Sequence, residues 1–212
     1  MFHSKTVSLF AAAVTAAFLL TLGVSVTQAA IIGFEAESGT LGDDFDPPQT
    51  DASALGGTYI TTETNGGGSS PGTEARTVSY ILNVAAGTYD VYIRGRVNGG
   101  ANDDSFYWAK AFGDADPAVD ADWNTVNGIT GEGVPNGSFG WSTSSLGTIT
   151  SPGGSVQWEI GAREDGFDID AFALVTTGQT VTESELDNAV IIPEPASLAM
   201  GLFGMTLIAG RR

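Results

Sequence analysis

The chain contains no cysteine, and its single histidine is His3. A disulfide framework is therefore excluded, and an exported domain of this kind must be held by packing or by a metal. Nucleophilic catalysis by a Cys–His or Ser–His pair is excluded from everything beyond the first few residues. Cations are nearly as scarce. Eight lysines and arginines oppose 25 aspartates and glutamates, a formal net charge of −17. Between residues 31 and 190 only Arg76, Arg94, Arg96, Lys110 and Arg163 are basic. Nucleic acid is thereby excluded as a partner, since phosphate binding needs a basic face. The triplet Gly66-Gly67-Gly68 is not followed by Lys-Ser/Thr, so it is no phosphate-cradling loop. Carboxylates abound, but a glycosidase needs two of them about 5–9.5 Å apart in a substrate cleft, and no larger fold is there to build one. No catalysis is expected.

Long apolar runs occur only at the two ends. Residues 1–30 read as a secretory signal peptide: Lys5 in the n-region, an apolar stretch from Leu9 to Val24, and a small-residue cleavage site at Thr27-Gln28-Ala29. Near the other end, Pro193-Glu194-Pro195 precedes an apolar run from Ala196 to Gly210 and the pair Arg211-Arg212. As helix that run reaches about 22 Å, short of the ~30 Å hydrocarbon core, so a permanent span is marginal. The arginine pair fits the positive-inside rule. Residues 193–212 thus suit a temporary inner-membrane anchor, and they resemble the PEP-CTERM sorting signal of Gram-negative bacteria. That resemblance implies recognition and cleavage by an exosortase near the Pro-Glu-Pro. It further implies an association with exopolysaccharide, with the processed protein at the cell surface or in the extracellular matrix.

Between the signals the pattern is β. Val78, Tyr80, Leu82 and Val84 alternate, as do Tyr89, Val91, Ile93 and Val97, and the link Ala85-Ala86-Gly87-Thr88 is short enough for a hairpin. Further strands are expected near residues 31–37, 58–61, 105–112, 140–150, 155–162 and 168–175, separated by glycine-rich breaks. The fold class is all-β, an antiparallel β-sandwich spanning residues 31–178. Residues 179–192 are expected as a linker with a short helix over 183–189, where Thr182 and Glu185 have capping-box form.

Glu35-Ala36-Glu37 places two carboxylates on one face of an early strand, and Asp168-Ile169-Asp170 repeats the spacing on the last one. If those strands neighbour each other, Glu35, Glu37 and Asp170 form an oxygen cage suited to Ca²⁺; otherwise they are two solvated faces. For sugar binding, an aromatic ring stacks on the C–H face and a polar side chain takes the hydroxyls. The candidates are Tyr59, Trp108, Trp123 and Asn124, with Asp103 and Asp104 close by. Trp123 lies in the polar stretch Asp120-Ala121-Asp122-Trp123-Asn124, where it serves either as a stacking platform or as a buried plug. Trp158 and Trp141 read as core, and Tyr107 is ambiguous. The turn Arg163-Glu164-Asp165-Gly166 reads as structural, with an internal ion pair.

Four pieces occur in one order: Phe34-Glu35-Ala36-Glu37, then 86–94 with Gly87-Thr88-Tyr89, then Asn102-Asp103-Asp104-Ser105-Phe106-Tyr107, then 161–170. In that order the chain resembles the carbohydrate-binding modules of families six and thirty-five and their galactose-binding-like relatives. The resemblance implies a jelly roll, a polysaccharide partner, and a structural calcium held by Glu35, Glu37 and Asp170. The chain departs from the pattern at 110–124, where an acidic insertion, Phe112-Gly113-Asp114-Ala115-Asp116-Pro117, replaces the compact turn before the tryptophan. A calcium-stabilised matrix or adhesion protein without a sugar ligand is the alternative.

Overall fold

The computed structural model describes residues 31–99 and 102–191. The expected signal peptide and sorting signal, including Pro193, Glu194, Pro195, Arg211 and Arg212, lie outside the described residues. The strands are β1 (Ile31–Glu35), β2 (Thr40–Leu41), β3 (Gln49–Thr50), β4 (Thr58–Tyr59), β5 (Thr77–Val84), β6 (Gly87–Val97), β7 (Ser105–Ala109), β8 (Trp123–Asn127), β9 (Gly140–Trp141), β10 (Thr148–Ser151), β11 (Gly154–Ala162) and β12 (Phe167–Thr176). One helix, α1 (Glu183–Ile191), follows them.

Sheet one has the order β1-β12-β6-β10, with β9 also on β6; sheet two has the order β2-β5-β11-β7-β8; β3 and β4 form a small ribbon. All strand pairs are antiparallel. Of the eight strands β1, β5, β6, β7, β8, β10, β11 and β12, only β7 pairs with its immediate successor in that series, β8. At each other step the chain crosses to the opposite sheet, which is the two-sheet jelly roll. The first and last strands do neighbour each other, Phe34 standing opposite Phe172.

The expected hairpin between β5 and β6 is absent. The two strands belong to different sheets, and 85–86 is an arch between layers. Alternation shows which face of a strand is buried; a hairpin and an arch bury the same residues, so the pattern cannot separate them. Residues 140–150 divide into β9 and β10, and β8 arises in a stretch read as polar loop.

The two inner faces meet through aromatic rings. Phe34 lies 5.1 Å from Tyr80 and 5.9 Å from Trp158, and Phe172 lies 5.2 Å from Trp158. Their polar atoms are answered: the Tyr80 hydroxyl donates to Ala36 O at 2.8 Å and Trp158 Nε1 to Ala109 O at 3.1 Å. Central strand β12 is buried on both faces. Phe172 and Leu174 point into the sandwich, while Ala171, Ala173 and Val175 pack with Leu186 and Val190 of α1. The capping box forms: Thr182 N donates to Glu185 Oε2 at 2.8 Å and Glu185 N to Thr182 Oγ1 at 3.3 Å. Residues 179–191 thus carry the helix, docked on sheet one, where Gly33 is required. A Cβ there would lie 2.6 Å from the backbone of Ala189 and Val190.

Candidate functional site

Strand β1 ends at Glu35, and Ala36–Ser38 closes into a 3-10 turn. Opposite, the register of β12 against β6 shifts between Ile169 and Ala171, leaving Asp170 as the extra residue of a β-bulge. A bulge re-aims its side chain. Asp170 is fully buried and receives the Arg94 guanidinium and Leu55 N, the latter at 3.1 Å from Oδ1 and 3.2 Å from Oδ2. Glu37 accepts from the Thr58 hydroxyl. Two buried oxygens, Glu35 Oε2 and Glu37 Oε2, have no partner.

The electrostatics follow from that crowding. Burial, then the charges of Glu37 and Asp170, push the Glu35 carboxyl up to about 7, against a smaller pull from Arg94. Burial likewise lifts Asp170 to about 6, although Arg94 and Leu55 N favour its ionised form. Three carboxyls share one guanidinium, and buried charges are tolerated only when paired. Hard oxygen donors with orphaned lone pairs suit a divalent cation such as Ca²⁺. Among the described residues no group of three or more His, Cys, Asp or Glu side chains is placed to hold a metal ion. The three carboxyls supply hard oxygen donors, but they are not gathered into a metal-holding group, and the Arg94 guanidinium already occupies Asp170.

Beside it, the outer face of sheet one carries a charged ladder. Arg96 binds Asp51 and Asp168, each at 2.7 Å, and Asn98 donates to Asp168 at 2.6 Å. The Phe139 ring lies 4.3 Å from the Arg96 guanidinium, and Tyr59 lies 5.2 Å from that guanidinium and from Phe139. These contacts hold β3 and β4 onto the sheet. Past Tyr59 opens a groove of about 590 Å³ lined by Asp46, Gln49, Tyr59, Thr61, Thr62, Glu63, Asp165 and Gly166. Asp103 borders it at Gly166, where it meets Asp165; burial and that neighbour raise its carboxyl.

The structure does not bring the proposed sugar residues together. Tyr59 is on the groove. Trp108 is 2% exposed and lies between the sheets, 6.4 Å from Trp158. Trp123 is also 2% exposed, so neither ring offers a face to a sugar, and both expectations are corrected. The reason differs for Trp123. It pairs with Ala109, the neighbour of inward-facing Trp108, and so points out of the sandwich. The acidic insertion folds back over it, and its Nε1 donates to Asp116 O at 2.9 Å. Asn124 is half-buried opposite Trp108. Asp104 is buried at the start of β7, its carboxylate accepting from Thr130 at 3.3 Å. Tyr107 also lies under cover, its hydroxyl on Gly68 O at 3.0 Å. Arg163 does pair with Glu164, at 2.8 Å.

Sequence reading missed Gln49, Phe139 and Asp165 as site residues. The alternation in β6, which turns Arg94 and Arg96 away from the core, was a usable signal. Phe139 follows a Gly-Ser pair and carried none.

No family model matches the chain, and no curated protein does. Solved structures with partial likeness include the isomalto-dextranase of Arthrobacter globiformis, 16% identical over 68% of this chain and 23% of that one, TM-score 0.47. A second is the GH26-CBM35 β-(1,4)-mannanase of Podospora anserina, 14% identical over 71% and 28%, TM-score 0.47. A third is a family 35 carbohydrate-binding module of Clostridium thermocellum, 13% identical over 70% and 99%, TM-score 0.41. The chain spans about a quarter of the length of the first two. Likeness this low assigns no ligand, and the jelly roll stands on its own strand order.

Proposed function

We propose that this chain is an exported, non-catalytic carbohydrate-binding protein that associates with exopolysaccharide or the cell surface. The observation that carries the reading is the open polar groove with an aromatic wall: Tyr59 for the sugar's C–H face, and Gln49, Thr61, Asp46 and Asp165 for its hydroxyls. The sequence supports it from both ends, through the signal peptide and the PEP-CTERM-like tail, with exosortase and the inner membrane as partners in transit. Structural Ca²⁺ at Glu35, Glu37 and Asp170 would neutralise the carboxylates beneath β4. Affinity electrophoresis of the purified protein through soluble polysaccharides tests the reading. Retardation by at least one glycan, lost in Tyr59→Ala, is expected; migration unchanged by every glycan overturns it.

The orphaned oxygens favour a second reading, a calcium-stabilised structural or adhesion protein with no sugar ligand. It expects a melting temperature that rises with Ca²⁺ and no retardation by any glycan.

A further inference from the structure

The groove beyond Tyr59 has a one-sided chemistry. Asp46, Glu63 and Asp165 line it, and no lysine or arginine does. The arginines beside these segments are committed to other partners. Arg96 holds Asp51 and Asp168. Arg76 donates to Thr64 O at 3.1 Å and to Ala162 O at 3.2 Å, and Arg163 donates to Ser105 and Glu164. Hydrogen-bonding capacity is skewed in the same direction. The Gln49 amide already donates to Pro47 O at 2.6 Å, and the Thr62 hydroxyl to Asp44 O at 2.9 Å. Among the described residues no donor sits on the carboxylates of Asp46 and Glu63, and an ionised carboxylate can only accept. The groove is rich in acceptors and poor in donors.

We infer that this groove selects neutral, hydroxyl-rich polysaccharides and rejects chains that carry carboxylate or sulfate groups. The inference rests on the carbohydrate reading above and adds to it the class of ligand. A neutral sugar brings hydroxyl donors, which the free carboxylates take in charge-assisted bonds. A uronate or sulfate brings acceptors and a negative charge, and it meets like charge with no cation to answer it. Charge and hydrogen-bonding inventory therefore rank the two classes in the same order. The net charge of −17 repels anions too, but salt screens it beyond roughly 8–10 Å, whereas the lining acts at contact.

A glycan array carrying neutral, uronate-containing and sulfated polysaccharides reads the selection, and the protein should bind only neutral members. For a neutral glycan so found, calorimetry at low salt should show roughly tenfold weaker affinity for its carboxymethylated derivative. Asp46→Asn combined with Glu63→Gln should shrink that ratio to about threefold. Removing the same charge elsewhere should leave it unchanged; Asp114→Asn on the cover of sheet two with Glu183→Gln at the start of α1 does so. If uronate-containing or sulfated glycans bind as tightly as neutral ones, the inference is overturned and the carbohydrate reading stands. An equal loss of discrimination in both double variants would assign it to net charge and overturn the role of the groove. Silence across the whole array removes the carbohydrate reading and the inference with it.

Discussion

Both outer faces of the sandwich are covered by excursions of the chain, but the two covers are finished differently. Over sheet two lie residues 66–72 and the acidic insertion 111–122. They hide Tyr107, Trp123 and Glu159, and the polar groups of these three side chains are answered. Trp123 donates to Asp116 O, Tyr107 to Gly68 O, and Glu159 accepts from Ala115 N at 3.0 Å and Gln157 at 2.8 Å. The covering segments also bind each other, Gly72 N on Pro117 O at 2.7 Å and Ser70 on Asp120 at 2.9 Å. Over sheet one, residues 49–59 leave two carboxylate oxygens orphaned and a groove open beside Tyr59. Buried polar atoms are normally paired, and each exception calls for a specific explanation. The contrast is one of degree. Sheet two also holds two unpartnered atoms, Trp108 Nε1 and Arg163 Nε. Its outer cover answers the side chains it hides, whereas the cover of sheet one leaves two carboxylate oxygens unanswered beside an open groove.

The largest test of this contrast is Trp123→Ala. Removing a buried indole costs about 3–5 kcal/mol, so urea unfolding should show a severe loss of stability. Glycan retardation of the protein that remains folded should be unchanged. A mild stability loss together with lost glycan binding would reverse the assignment of the two faces.

Calcium comes next. A cation present at a hundredfold excess over its Kd stabilises by about 2.7 kcal/mol, roughly 5–10 °C for a domain of this size. Thermal unfolding with CaCl₂ against EGTA should show that difference. None of it should arise from sheet two, so Asp116→Asn and Asp122→Asn should preserve it.

A pH effect of a few degrees should appear in EGTA. Glu35 and Asp170 have folded-state values raised to about 7 and about 6, above the ordinary 4.5 and 3.8. Across that interval the folded protein binds more protons than the unfolded chain, so this contribution is complete below about pH 4. It is lost as pH rises through 6 and 7. Melting temperatures from pH 4 to 8 should therefore fall in EGTA, and saturating Ca²⁺ should remove the fall. A flat profile in EGTA would mean that the orphaned oxygens find solvent.

The smallest effect belongs to the uncovered edge of sheet two. Ile81 is 69% exposed on β5, so Ile81→Thr should change stability by less than about 0.5 kcal/mol.

Local pattern carried much of the architecture. Alternation along residues 78–84 and 89–97 named the inward faces of β5 and β6, and Thr182 with Glu185 named the helix start. It could not tell arch from hairpin at 85–86, because strand partners are chosen by contacts far along the chain. The same gap left the role of Trp123 undecided. Its polar neighbours left it open between a stacking platform and a buried plug, and nothing local shows that the preceding acidic insertion turns back to cover it.

By itself, then, the sequence determined an acidic, cysteine-free, all-β chain with no histidine for catalysis beyond His3, and it marked the carboxylate pairs Glu35/Glu37 and Asp168/Asp170. Those properties depend on composition and on residues two to four apart. Only the tertiary structure decided that β1 lies beside β12, that a bulge turns Asp170 toward Glu35 and Glu37, and that Tyr59, not Trp123, reaches the groove. Those outcomes depend on register and on covering segments, which are set when distant strands meet and bury one face in common.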